Sequence, residues 1–355
     1  MKLGLFCLMP RRDGDKPLAQ IMRETIEQVV LAESLGFDTA WFAEHHFTNY
    51  CMCPSPLMMA AHCAGLTKRI RLGSAVVVLP LYDPMRLAQE IAFVDVLSGG
   101  RLVLGVGSGY QPYEFARFGA DLAVSKEVFH ESLDIIEMAC TTGEVAYDGK
   151  HYRIPPTTLS LRPLQQPMPE IYVAGLTQAR DVQERIVRKG YVPFISGHWR
   201  PASALAEQRT KYDALCRELG RDPATAPLAV QRYVYIADGR KDALDAADHA
   251  RYTHRLATSL RNDYAVLDGS VIREAPSEGE PPLEEIAENA IIGDPEKCIA
   301  QLNEEIRLVR PTQLSCFMQI GGMDHRRVMR SIERFGAEVM PYLDIPAAQP
   351  EEARA

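Results

Sequence analysis

The sequence predicts an α/β protein with a closed (β/α)8 TIM barrel. Three observations carry this expectation. Short apolar, β-branched runs alternate with longer runs of helical periodicity, and eight such pairs can be counted along the 355 residues. No linker rich in Gly, Ser or Pro divides the chain into comparable parts, so residues 1–344 read as one barrel domain. Residues 345–355, rich in Pro and Ala, read as a frayed tail. Several predicted strands also run straight into small or polar residues, at the end where barrels place their ligands. An open doubly wound sheet with a cap is the competing architecture.

Residues 3–9 form an apolar first strand. After Pro17, residues Leu18, Ile21, Met22, Ile26, Val29 and Val30 recur near helical spacing, and Gly36 supplies the stop. A strand over 39–43 and a helix over 55–66 follow. Next come a Val- and Ile-rich strand over 70–79 and a helix from Pro84 to Gly99-Gly100. Asp95 and Arg101 flank those glycines and read as a structural pair that fixes the turn. Strand 102–106 leads to helix 126–140. Asp148-Gly149, between β-prone residues, predicts a small hairpin insertion over 146–154. Alternation resumes with strand 171–174 and helix 179–189, then strand 191–195 and helix 202–219. Strand 229–236, helix 242–260, strand 313–319 and helix 325–339 complete the set. Residues 261–282 (RNDYAVLDGSVIREAPSEGEPP) lack periodicity and read as a lid or a passive surface loop.

Charged residues make up 24% and hydrophobic residues 46%, the balance of a soluble globular chain. A net charge of −8 opposes nucleic-acid binding, which needs a basic face. No run reaches the roughly 18 apolar residues that span a bilayer. The apolar N-terminal run is too short for a signal peptide. The expectation is a cytoplasmic protein without a membrane partner. The eight cysteines are dispersed and form no C-x-x-C pair, which predicts free thiols.

The strand within GFDTAWFAEHHF (36–47) ends in Glu44, His45 and His46. That set suits general acid/base work or polar stabilisation at a cofactor. It could also join Cys51 and Cys53 at a metal, or simply cap the strand. Adjacent strand residues face opposite ways, which separates the two imidazoles, and C-x-C alone is a weak metal signal. In LVLGVGSGY (102–110), Gly105, Gly107 and Gly109 around Ser108 form either a loop that lets backbone N–H groups reach a phosphate or a tight turn. Tyr110 stands where a dinucleotide fingerprint needs Gly, so any electrons arrive on another carrier. Gly175 and Thr177 in VAGLTQ could hold an anion at a helix start, and residues 195–197 occupy a similar position.

Together these residues resemble the bacterial luciferase family of flavin-dependent monooxygenases. The marks are KLGLF at 2–6, GFDTAWFAEHHF at 36–47, GSAVVVLP at 73–80 and DVLSGGRLVLGVGSGYQPYEFARFG at 95–119, with IIGDPEKCIAQL at 291–302 and EVMPYL at 338–343. The resemblance implies a (β/α)8 barrel that binds reduced FMN at the carboxyl ends of its strands. A separate flavin reductase would supply the FMN, and O2 would form a peroxyflavin that oxidises a small organic substrate. It makes His45 the catalytic imidazole, with Glu44 orienting the site. It places a flavin-facing bulge, often with a cis peptide, at Ala75-Val76. Flavin contacts would come from Ala75, Val76, Gly107, Ser108, Lys126, Ala174, Gly175, Leu176, Ser196 and Gly197. It also implies a homodimer. Light-emitting members differ at several of these positions. They carry Arg where Ser108 and Lys126 stand, a Glu-Ser pair at Gly175-Leu176, and an aromatic at Gly197, near Trp199. Lys keeps the charge but lacks the bidentate fork. The resemblance therefore leaves aldehyde, ketone and ring carbon open as substrates. Three other readings compete: deazaflavin-dependent hydride transfer, a non-catalytic flavin-binding partner subunit, and a metal-dependent barrel hydrolase.

Overall fold

The computed structural model describes residues 1–12, 16–176 and 179–345. Eight parallel strands line the barrel: β1 (Lys2–Cys7), β2 (Thr39–Phe42), β3 (Arg71–Ser74), β4 (Leu102–Gly107), β5 (Ile171–Ala174), β6 (Val192–His198), β7 (Ala229–Ile236) and β8 (Gln313–Phe317). Each pairs with the next in sequence order, and β8 pairs back onto β1 through Lys2–Gln313 to Leu5–Cys316. The sheet is therefore closed, and the open doubly wound alternative falls.

One indole fills the lumen. Trp41 is fully buried, with the rings of Tyr172 and Phe194 at 4.8 and 5.1 Å. Neighbouring strands make room by carrying no side chain: a Cβ on Gly4 would lie 2.6 Å from the indole and one on Gly73 only 2.4 Å. Large and small residues thus interleave across facing strands, as in a filled barrel core. Polar chemistry is left to the carboxyl end.

The predicted strand over 70–79 is interrupted. β3 stops at Ser74, the Ala75–Val76 peptide is cis, and Val77–Val78 resumes pairing with Val106 and Gly107 of β4. The interruption swings the Ser74 carbonyl over Gly105, where a Cβ would lie 1.9 Å from it. The Ser74 hydroxyl bonds both the carbonyl (2.8 Å) and the amide (2.9 Å) of Gly105.

Asp95 and Arg101 do not pair with each other. Asp95 accepts from the backbone and side chain of Gln165, while Arg101 donates to Ser98, Thr67, Ile70 and Ala64 carbonyl or hydroxyl oxygens. Each ties the turn to a different neighbour. The turn itself rests on Gly99 and Gly100, both at positive φ.

The predicted elements leave out helices Pro112–Phe118, Leu283–Asn289 and Pro295–Val309 and strand Ile291–Gly293. Helix Pro112–Phe118 is too short to show periodicity, although Pro112 at its start and Gly119 (φ 68°) at its end mark its bounds. Strand Ile291–Gly293 is only three residues and joins β7 at its carboxyl end. Helix Pro295–Val309 follows, capped by Asp294. The expected hairpin is present as Glu144–Asp148 and Arg153–Thr158. The aperiodic segment 261–282 holds a small antiparallel pair, Leu267–Asp268 with Val271–Ile272. All eight cysteines are buried thiols. Among the described residues no helix is long and apolar enough to cross a membrane. The expected frayed tail lies, from residue 346, outside the described residues.

Candidate active site at the carboxyl end of the barrel

β2 ends at Phe42, so Glu44, His45 and His46 follow in irregular chain and strand alternation does not govern them. Contacts assign them instead. Glu44 is buried: one oxygen pairs with His46 Nε2 at 3.0 Å and the other accepts from the Val78 amide at 3.2 Å. Burial raises its carboxyl above the ordinary range, against the hydrogen bonds from His46, Val78 and Tyr82. Glu44 thus ties His46 to the chain just beyond the cis bulge.

His45 has a different carboxylate. Its Nδ1 lies 3.1 Å from Glu114 Oε1, an oxygen that also accepts the His46 amide at 2.7 Å. The Gln111 side-chain nitrogen lies 3.0 Å from the same Nδ1. One ring nitrogen cannot serve both as donor to the carboxylate and as acceptor from the amide. The charged acceptor makes the stronger bond. We assign the proton to Nδ1 on that network. Nε2 then carries the lone pair, with Tyr110 Oη 3.4 Å away. Glu114 comes from the helix that periodicity missed; its Pro start and Gly stop are the signal that could have found it.

Two aromatic groups line the mouth. Tyr50 packs on His45 at 4.9 Å and shares a hydrogen bond with Tyr110, and burial raises both phenols. The Arg261 guanidinium lies 4.3 Å from the centroid of the Tyr110 ring. At the end of β6, His198 (φ 48°) stacks on Tyr233 at 5.7 Å, and Trp199 packs between Tyr233 and His254. Burial holds His198 down to about 3, with His254, Arg200 and Arg261 adding to the effect. Its imidazole is neutral.

Of the residues expected to hold a cofactor, three converge. A Cβ on Gly107 would lie 2.7 Å from the Val76 side chain and 3.6 Å from the Ala174 methyl. Ala75 packs on the cluster around Trp41, and its amide donates to Phe42 at 2.7 Å. Ser108 is buried beside them. Gly175 turns at φ 82° and donates to the Phe194 carbonyl, and the Leu176 carbonyl accepts from Gln183. Ser196 is exposed, and its carbonyl accepts from Arg200. Gly197 faces away from the lumen, where a Cβ would meet Arg232 at 2.6 Å and Leu205 at 3.2 Å. Lys126 is exposed near the start of helix Ser125–Thr141. Thr177 lies outside the described residues. These positions fit a flat, polar-edged ligand. The side chains at Ala75, Gly107 and Ala174 are small, and Gln111 Oε1 is buried without a partner. Among the described residues, no group of three or more His, Cys, Asp or Glu is placed to hold a metal.

Residues 1–310 match the model of the luciferase-like monooxygenases. The chain belongs to that family. It is 38% identical to the uncharacterized protein y4vJ of Sinorhizobium fredii, over 96% of this chain and 97% of that one. It is 28% identical to the oxygenase component of the flavin-dependent trigonelline monooxygenase of Acinetobacter baylyi, over 96% and 95% of the two chains. The oxygenating constituent of 3,6-diketocamphane monooxygenase from Pseudomonas putida, solved with FMN, superposes with a TM-score of 0.79. That match has 22% identity and covers 98% of this chain and 99% of the other. At such identity the likeness is one of fold. The expected family and barrel are borne out, and the chain is an enzyme of the monooxygenase class.

Proposed function

We propose that this chain is the oxygenase component of a two-component, FMN-dependent monooxygenase in the cytoplasm. It takes reduced FMN from a separate reductase and oxidises a small organic substrate with O2. The balance is reduced FMN, O2 and substrate in; FMN, water and the singly oxygenated substrate out. Bound reduced FMN supplies the two electrons for that step. The observation that carries the reading is His45. Its Nδ1 is engaged by Glu114 and its Nε2 is left with the lone pair, in the same mouth as the convergence of Val76, Gly107 and Ala174.

His45 Nε2 receives or returns a proton at the reacting group, and Glu114 holds its tautomer. Glu44 acts on the site indirectly, through His46 and Val78. Ala75, Val76, Gly107 and Ala174 would face the flavin ring. Ser108, Gly175 and Leu176 would surround its phosphate, with Lys126 adding charge and Ser196 closing the far side. The segment after Arg261 excludes water. The relative named as an oxygenase component supports the two-component reading. A homodimer would cover the exposed apolar side chains Met58, Phe93 and Leu97 on helices Pro56–Ala64 and Pro84–Leu97.

The test supplies photoreduced FMN anaerobically, measures its binding by ultrafiltration, and then admits air. Bound flavin should reoxidise at a rate set by the protein and altered in His45→Ala. Absence of binding, or reoxidation as in buffer, sinks the proposal. Binding of a deazaflavin in place of FMN would move the chemistry to hydride transfer.

A further inference from the structure

Two cations at the mouth lack carboxylate partners. Arg261 is exposed and Arg200 half-buried. Several other arginines are neutralised, Arg255 by Glu274 and Glu280, Arg232 by Glu305, and Arg327 by Asp242 and Asp245. Among the described residues, no carboxylate lies within ion-pair distance of Arg261 or Arg200. Arg261 rests on the Tyr110 ring, and Arg200 donates to the Ser196 carbonyl. Both lie close enough to His198 for their charge, with that of Arg232, to disfavour its protonation. The nearby carboxylates are engaged, Glu280 by Arg255 and Glu114 by His45. In a chain of net charge −8, two cations without carboxylate partners beside stacked rings are placed to attract an anion.

We infer that the substrate is a small planar organic acid. Arg261, seconded by Arg200, holds its anionic group, and its ring lies against Tyr110, Trp199 and His254. This rests on the monooxygenase reading of the same mouth. Reach supports it. Arg261 sits over the Tyr110 ring, and the hydroxyl of that ring touches His45 Nε2 at 3.4 Å. An anion on Arg261 is thus about one aromatic ring away from the proton-handling imidazole. A single-ring acid spans that gap and brings its far edge to His45. Guanidinium suits the planar carboxylate, and the aromatic wall suits the ring face. His198, neutral, adds no competing charge.

The same guanidinium chemistry could instead serve the flavin phosphate, and the experiment separates the two. Benzoate and 4-hydroxybenzoate are titrated calorimetrically against benzamide and 4-hydroxybenzamide, with and without saturating oxidised FMN. The wild-type protein should prefer each acid over its amide by about ten-fold or more. Arg261→Gln should erase the preference without changing FMN affinity, and Arg261→Lys should keep part of it. Equal binding of acids and amides overturns the inference, as does no binding of the acids at millimolar concentration. Loss of FMN affinity in Arg261→Gln, with acid binding intact, assigns the cation to phosphate and also overturns it. The titration needs no turnover, so a failure of the oxygenase reading would show in the FMN and air experiment and leave this result legible.

Discussion

Glu114 Oε1 accepts from two successive residues at once: the His46 backbone amide at 2.7 Å and His45 Nδ1 at 3.1 Å. The carboxylate therefore sets both the course of the chain after β2 and the tautomer of the imidazole. Replacing Glu114 by Gln keeps the shape but weakens the preference for a proton on Nδ1. We expect turnover to fall by about 10- to 100-fold, as for losses of groups that orient a catalytic His. Reduced-flavin affinity should change less. An unchanged turnover number in Glu114→Gln would reject the assignment.

Glu44 gives a prediction in pH. Its carboxyl is raised by burial, so the fold disfavours the charged form. That cost is present in full above the raised value and disappears as pH falls into the ordinary carboxylate range. Glu44→Gln removes the charge. Relative to wild type, the variant should be more favoured at pH 8 than at pH 4.5, as read from urea midpoints. Parallel pH profiles for the two proteins would contradict this.

His198 has the opposite sign. Held down to about 3 from an ordinary 6.5, its neutral form is what the fold accepts. Its contribution is complete above the ordinary value and is lost as pH falls toward 3, with a slope approaching about 1.4 kcal/mol per pH unit. Asn tolerates the left-handed backbone at this position, so His198→Asn is the appropriate variant. It should flatten acid unfolding between those limits, as followed by circular dichroism.

Gly73 and Trp41 should be coupled. A methyl on Gly73 would intrude to 2.4 Å from the indole. Gly73→Ala should cost about 1–3 kcal/mol through overpacking. Trp41→Phe vacates part of that volume, so the double variant should be more stable than the sum of the single losses allows. Simple additivity in urea unfolding would deny the contact.

Asn49 clasps the segment after Arg261. Its amide nitrogen reaches the Arg11 carbonyl (3.2 Å) and the Tyr252 hydroxyl (3.1 Å), while its oxygen accepts from Ile272 (2.8 Å). The Asn49 backbone amide adds a bond to Ser270 at 3.0 Å. Asn49→Ala should leave buried partners unsatisfied, at about 1–3 kcal/mol. Limited proteolysis should then cut within 262–282 faster, and a cutting rate equal to wild type would rule out the clasp.

Much of this was legible in the chain. Gly36, Pro84 and Gly99-Gly100 bound their helices because backbone preferences are local. The strand ends at Glu44, Gly107 and Ala174 were visible because a buried parallel strand is an unbroken apolar run, and its end is abrupt. The motif around Ala75-Val76 located the cis bond, although the run GSAVVVLP alone reads as one continuous strand. Helix Pro112–Phe118 escaped because two turns are too few for periodicity, and its carboxylate went with it.

The sequence by itself determined the barrel, the family and the position of the Glu-His-His motif, since each follows from neighbouring residues and their order. Only the tertiary structure decided who partners whom. Glu114 lies 69 residues from His45, and Arg261 reaches Tyr110 only because the closed sheet brings the end of helix Arg240–Arg261 back over β4. Such pairings depend on closure and register. Adjacent Glu44 was the obvious partner for His45 in the sequence, yet the chain after β2 turns it toward His46 and leaves His45 to a carboxylate on the short helix Pro112–Phe118 that follows β4.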